Sequence, residues 1–344
     1  MKLSIASFNA ENLITAGKPI YDAPHPRFTP EQYRLKVDWM RSQLVKMNAD
    51  IVGFQEVFEE RALRDCLIGS PMSDWHLFVA NPTGALPVNA ILSRYPIEDV
   101  TVIDAMPSPF QFFDDRPTSA ALDSVPVAIP MERFSRGVLI AKIAVSAQLT
   151  LCVMVLHLKS KRPTLARGTQ RGDADLPELA RGAVRSLIRR GIEACGVRQL
   201  LSDMLARDEA MPICVLGDLN DSDSAVTSSV ILGEEPHRSL SQEEKLLRWK
   251  QVLQNCRDVQ ARKSLENFHY TYIHNGHYES LDNIFVSNHF ADANTRRVGR
   301  VVDVRLFNDH VIDSANSMDR KPMHVTDHGQ VLVNIDIEQG FVRP

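Results

Sequence analysis

The run Pro212-Ile213-Cys214-Val215-Leu216-Gly217-Asp218-Leu219-Asn220-Asp221 opens with apolar residues that belong in a core and closes on two carboxylates and a carboxamide. Other apolar or alternating runs do the same. Leu3 to Phe8 leads into Asn9 and Asn12, Asp50 to Phe54 into Gln55 and Glu56, and Leu149 to Leu156 into His157, Lys159 and Lys161. Asp282 stands at the head of Leu281 to Val286, and Asp327 and His328 stand just before Gln330 to Ile335. Singly, each has an ordinary explanation: Asn after a strand is a turn residue, Glu a solvated charge or a helix cap, Asp-His a surface pair. Together they supply oxygen donors for a hard cation and two histidines. Mg²⁺ or Mn²⁺ takes a few such oxygens and keeps water and substrate phosphate in its shell. A histidine paired with a carboxylate takes a proton from water or stabilises charge on phosphoryl oxygens. The combination suits metal-assisted hydrolysis of a phosphoester. Zinc fits less well, because the chain has neither a His-Glu-x-x-His pattern nor a Cys/His cluster.

The elements that must position these residues are mostly strands. Further short apolar or alternating runs occupy His76 to Ala80, Asn89 to Leu92, Gly137 to Val145, Phe268 to Ile273 and Val298 to Leu306. Helical periodicity covers Pro30 to Met47, Ala180 to Ala206 and Gln242 to Leu253, with Thr29 as N-cap and Pro30 as first helical residue of the first. Many strands and few helices predict two sheets packed face to face with helices outside. No linker rich in Gly or Ser and no internal repeat is visible, so residues 1–344 are expected to form one domain.

Composition bounds the partners. A chain of 344 residues with 44% hydrophobic and 24% charged residues is ordinary globular material, and a net charge of −4 argues against a globally basic nucleic-acid binder while leaving room for a local basic patch. The five cysteines (Cys66, Cys152, Cys195, Cys214, Cys256) are scattered without a Cys-x-x-Cys pair and read as reduced residues, two of them inside apolar runs. The N-terminal "MKLSIASFNAENL" turns polar too early for a secretory leader, and no apolar run spans a bilayer, so a cytoplasmic location without membrane insertion is expected. No protein partner is implied.

The ordered series Asn9, Gln55-Glu56, His157-x-Lys159, Gly217 to Asp221, Leu281 to Ser287 and Thr326-Asp327-His328 resembles the endonuclease/exonuclease/phosphatase superfamily. The motifs run in family order from the N-terminus almost to the C-terminus, and the weaker "VNAILSRYPI" and "RGVLIAKI" also look like family strands. The resemblance implies an α/β (α+β) fold, a four-layer α/β/β/α sandwich of two mostly antiparallel sheets, and a metal-dependent phosphoester hydrolase. Carried over by motif, Glu56 would be the principal ligand of Mg²⁺ or Mn²⁺, with Asn9 and Asp327 completing the metal site. Asp218 and Asn220 would orient the attacking water and bind the scissile phosphate, and His328, held by Asp282, would accept a proton or contact the phosphate. His157 would stabilise charge on the phosphoryl oxygens, with Glu132 a candidate carboxylate partner for it. A binding module that had lost its chemistry would be expected to lack Glu56 or His328, and both are present.

Two segments lie outside these motifs, as insertions near 107–135 and 159–198. From Lys159 to Arg198 there are ten Lys or Arg against four Asp or Glu. In the helix of that segment Val184, Leu187, Ile188, Cys195 and Leu201 can share an apolar face, which would leave its arginines on the flanks and opposite side. Lys159, Lys161, Arg162, Arg167 and Arg171 are the candidates for holding a polyanionic substrate beside the catalytic mouth; the plain alternative is a solvated loop. The segment Phe113 to Phe134, with several prolines, could be a lid. A nucleic acid is the expected substrate. The alternative, a sphingomyelinase-like or inositol-phosphatase-like enzyme, draws its support from "PSPFQFFDD" as an apolar tip near Phe110 to Phe113. Tyr95 reads as a packing residue, and aromatic residues for base stacking are sparse near the basic loop.

Overall fold

The structure, a computed structural model, describes residues 1–21, 27–112, 127–264, 270–274, 276–313 and 321–338. In chain order the strands are β1 (Lys2–Leu13), β2 (Ile51–Val57), β3 (His76–Val79), β4 (Val88–Ser93), β5 (Ile97–Ala105), β6 (Phe110–Phe112), β7 (Val127–Ile129), β8 (Arg133–Ser146), β9 (Leu149–His157), β10 (Ile213–Asp218), β11 (Leu253–Asn255), β12 (Tyr272–His274), β13 (His277–Glu279), β14 (Asp282–Ser287), β15 (Gly299–Phe307) and β16 (Gln330–Ile337). The helices are α1 (Pro30–Met47), α2 (Glu60–Leu67), α3 (Leu176–Arg207), α4 (Val226–Leu232), α5 (Gln242–Trp249) and α6 (Cys256–Ala261).

Two six-stranded sheets result, ordered β15, β16, β1, β2, β4, β3 and β11, β14, β10, β9, β8, β5. Each has one parallel pair at its centre, β1 with β2 and β9 with β10, flanked by antiparallel pairs. A parallel pair needs a crossover, and the crossovers are α1 and α3. The repeat that could not be seen in the sequence is thus present in the topology.

The strands are apolar on both faces because both faces are covered. Along β1, Leu3 and Ile5 join the core between the sheets, while Ala6, Phe8 and Ala10 pack with Val37, Met40 and Leu44 of α1 and Leu63 of α2. Along β9, Leu151, Val153 and Val155 face the shared core, and Cys152, Met154 and Leu156 lie under Ala194, Val197, Leu201 and Leu205 of α3. Three apolar cores therefore separate four layers, α/β/β/α. Each fully buried Leu, Ile, Val or Phe contributes about 1.5–3 kcal/mol, so the core fixes the strands and leaves only their ends free for polar chemistry.

Several sequence expectations change. Helix α1 starts as expected, with Thr29 and Gln32 forming a reciprocal capping box and Pro30 in the first turn. The helix expected over Gln242 to Leu253 stops at Trp249, and Leu253 begins β11 on the edge of a sheet. Helix α2 was missed although Ala62, Leu63, Cys66 and Leu67 recur at helical spacing and are buried, and the half-exposed edge strand β5, with its irregular pattern, had no clear signal. Phe268 lies outside the described residues, as do 113–126 of the possible lid. In α3 the expected apolar face is inverted over the N-terminal half: Val184, Leu187 and Ile188 are exposed, and Glu178, Ser186, Arg190 and Glu193 are buried. That half packs on the loop after β9 and not on a sheet, so its inner stripe must satisfy backbone groups. Glu178 accepts from Ala166 N at 2.7 Å, Ser186 Oγ donates to Arg162 O at 2.7 Å, Arg190 donates to Lys159 O at 3.2 Å and Glu193 accepts from Lys159 N at 2.7 Å. Among the described residues no helix is long and apolar enough to cross a membrane.

Candidate active site

Strand alternation brings the polar ends together. On β10, Cys214 and Leu216 face the shared core, so Asp218 does too; the same count on β9, β14 and β1 puts His157, Asp282 and Asn9 on that face. Register then aligns them. Asp218 lies beside His157 on one side and Asp282 on the other, while Asn9 lies beside Gln55 in the opposite sheet. Glu56 would point towards the helices by the same count. A left-handed backbone (φ 61°) turns it inward, leaving Oε1 3.8 Å from His157 Nε2. Gly217 lets β10 close on β9: its φ is 143°, and a Cβ there would stand 2.0 Å from Leu156 O.

Hydrogen bonds fix the side chains. Asp218 accepts from Asn9 Nδ2 at 3.1 Å, from Asn220 N at 2.8 Å and from Asn220 Nδ2 at 3.1 Å, and Asn220 Nδ2 also reaches Leu158 O at 3.1 Å. His328 Nδ1 donates to Asp282 Oδ2 at 2.8 Å, which leaves Nε2 facing Asp218 Oδ2 at 4.0 Å. Thr326 Oγ1 donates to Asn9 O and accepts from His328 N, so the final loop is tied to β1. Thr271 Oγ1 accepts from Asp282 N, and the Tyr272 ring stands 5.1 Å from that of His328. Asp221 is gripped by Arg190 at 3.0 Å and Thr227 at 2.8 Å.

The electrostatics separate the two histidines. Burial, reinforced by Arg136, holds His157 well below the ordinary histidine value and therefore neutral. Burial opposes charge on His328 as well, but Asp282 and Asp218 outweigh it and hold its pKa well above the ordinary value. Burial, together with the charges of Asp282 and Glu56, pushes Asp218 up to about 7. Glu56 is raised by burial and by the neighbouring Asp327. Asp218, Asp282 and His328 offer atoms within 4.8 Å of one another, but one Asp282 oxygen is committed to His328 and both Asp218 oxygens accept N–H groups. That group reads as a proton-handling cluster. On the other side, Asn9, Glu56 and Asp327 are hard oxygen donors, and the repulsion between Glu56 and Asp327 is what a divalent cation would relieve; the residues fit such an ion.

Other expected residues fare differently. Glu132 is exposed, and His157 Nδ1 has no hydrogen-bond partner among the described residues, so this glutamate does not orient the imidazole. Lys159 Nζ is turned onto Ser160 O and Arg162 O, and half-burial and Arg136 bring its pKa down to about 8. Lys161 Nζ binds both oxygens of Glu279, at 2.9 and 2.8 Å. Arg162, Arg167 and Arg171 are exposed. Arg190, expected on an open flank, is 4% exposed and holds Asp221. Tyr95 packs against the shared core as expected. Sequence reading missed Arg136, whose charge acts on Glu56 and His157 although it opens a strand run, and Glu11, which lies inside the first motif and accepts from Asp327 N at 3.0 Å.

A family model described as "Endonuclease/Exonuclease/phosphatase family" matches residues 6–328. The chain belongs to that family. Membership makes phosphoester hydrolysis its reaction class. Truncated TDP2 of Caenorhabditis elegans is similar in structure, at 14% identity and TM-score 0.55 over 97% of each chain. TDP2 of D. rerio complexed with single strand DNA product has 16% identity and TM-score 0.56, over 97% of this chain and 99% of that one. The endonuclease/exonuclease/phosphatase from Bacteroides vulgatus has 14% identity and TM-score 0.52, over 98% and 100%. At these identities the likeness is one of fold. No curated protein matches the chain.

Proposed function

We propose that this family member is a divalent-metal-dependent phosphodiesterase that cleaves nucleic acid by attack of an activated water. The observation that carries the reading is the row His157, Asp218, Asp282, aligned by strand register and capped by His328, facing Asn9 and Glu56 across the sheets. Asn9, Glu56 and Asp327 would hold Mg²⁺ or Mn²⁺, which supplies Lewis-acid stabilisation of charge on the phosphoryl oxygens.

The chain's own groups do the rest. Asp218, fixed by three N–H donors of which Asn220 supplies two, orients the water. His328 Nε2, aimed by the bond from Nδ1 to Asp282, handles the proton. Neutral His157, with its Nε2 directed at the same space, donates a hydrogen bond to a phosphoryl oxygen; contacts of this kind are worth about 10²–10³ in rate each. The DNA product in the D. rerio TDP2 structure supports a nucleic acid as substrate, and exposed Arg162, Arg167 and Arg171 supply phosphate contacts beyond the scissile one.

A panel of duplex DNA, single-stranded DNA, RNA, sphingomyelin and inositol phosphates, each with Mg²⁺ and with EDTA, tests the reading. Metal-dependent cleavage confined to nucleic acid is expected. Turnover of sphingomyelin or an inositol phosphate with silence on every nucleic acid overturns it.

A further inference from the structure

The chain after Asn9 makes two consecutive left-handed residues, Glu11 (φ 44°) and Asn12 (φ 56°), neither of them glycine. Asn adopts this conformation readily, but for Glu it is unfavourable and persists only where surroundings over-determine it. The surroundings here are the oxygen donors assigned to the metal. Asn12 N donates to Glu56 Oε2 at 3.0 Å, and Glu11 N donates to Asn9 Oδ1 at 3.0 Å. The Glu11 carboxylate accepts from Asp327 N at 3.0 Å and from Lys321 Nζ at 2.6 and 2.9 Å, and Lys321 Nζ also donates to Val325 O at 2.8 Å. One strained turn thus touches all three donors: Asn9 through a side-chain oxygen, Glu56 through a backbone N–H, and Asp327 through its backbone.

We infer that Glu11 is a positioning residue for the metal half of the site, clamping the loop Lys321 to His328 onto β1 so that Asp327 meets Asn9 and Glu56 in one fixed geometry. Glu11 is not itself a ligand in this scheme: both of its oxygens are paired with the Lys321 ammonium, a cation already in place. Lys321 pairs with the Glu11 carboxylate, which lies within reach of the charge of Asp327. The fully buried Lys36 also interacts electrostatically with Glu11 and Asp327. The inference rests on the proposed metal role of Asn9, Glu56 and Asp327.

Mn²⁺ binding to the purified full chain without substrate, followed by electron paramagnetic resonance and calorimetry, tests the clamp independently of turnover. The variants are Glu11→Ala, Glu11→Gln and Glu56→Ala, each checked for folding by thermal melting. Removing a residue that orients a ligand typically weakens metal binding about 10–100-fold, and that loss is expected for Glu11→Ala, with kcat reduced and KM for substrate changed far less. Glu11→Gln, which keeps an acceptor for Asp327 N, is expected nearer the wild type. Wild-type Mn²⁺ affinity in Glu11→Ala, with binding lost in Glu56→Ala, overturns the clamp alone. Equal loss in Glu11→Gln and Glu11→Ala assigns the effect to charge and overturns the positioning role. Absence of Mn²⁺ binding in the wild type overturns both the clamp and the metal reading.

Discussion

His328 joins the two rows of the site, and its behaviour is set by one neighbour more than any other. The bond to Asp282 fixes the tautomer and, with Asp218, raises the imidazole's pKa above its ordinary 6.5. A group whose folded pKa is raised contributes stability that is fully present below the unfolded value and is lost as pH rises through the folded one. Asp282→Asn is therefore expected to cost about 1.5–3 kcal/mol at pH 6, with the deficit shrinking at alkaline pH; urea denaturation at pH 6 and at successively higher pH measures it. The same variant is expected to lose about 10²–10³ in kcat. Residues of this kind were legible in the sequence only as a set: one apolar run that ends in Asp, Asn or His is ordinary, whereas six of them together supply metal-binding oxygens and two histidines. Arg136 and Glu11 were not, because each reaches the site only after distant strands have paired.

At the scale of elements, α3 shows what periodicity can and cannot give. Its C-terminal half buries Val197, Leu201 and Leu205 against a sheet, and there the expected apolar face was right at Leu201. Its N-terminal half lies over a loop, whose backbone needs polar partners, and an apolar stripe was left outside. The consequence is a basic segment held by its backbone, with Arg162, Arg167 and Arg171 facing solvent. Replacing these three with alanine is expected to weaken binding of an oligonucleotide and to flatten the dependence of log K on log salt by about 0.7–0.9 for each phosphate that is no longer neutralised. Fluorescence anisotropy across a salt series measures the slope, and an unchanged slope removes the segment from the substrate path.

The whole molecule is two copies of one plan, a central parallel pair bridged by an outer helix, packed so that strand ends from both sheets meet. Its two packed sheets with outer helices were legible from many strands and few helices, and the four layers from the family resemblance; its internal duplication was not, since topology leaves no trace in residue types. The close approach of the sheets is visible at Gly53, where a Cβ would stand 2.2 Å from Leu216 Cδ1. Leu216 lies two residues before Asp218, and Gly53 three before Glu56. Gly53→Ala is expected to destabilise by about 1–3 kcal/mol through overpacking and to reduce kcat by shifting the two rows apart. Denaturation and steady-state kinetics on the same sample check both effects.

The most direct test of a single centre shared by both sheets is single-turnover cleavage of a labelled single-stranded oligonucleotide in Mg²⁺, comparing wild type with Glu56→Gln from one sheet and Asp218→Asn from the other. The expected result is cleavage by the wild type that EDTA abolishes, with a loss of at least about 10²-fold in each variant and folded thermal melts throughout. Wild-type rates in either folded variant would contradict it.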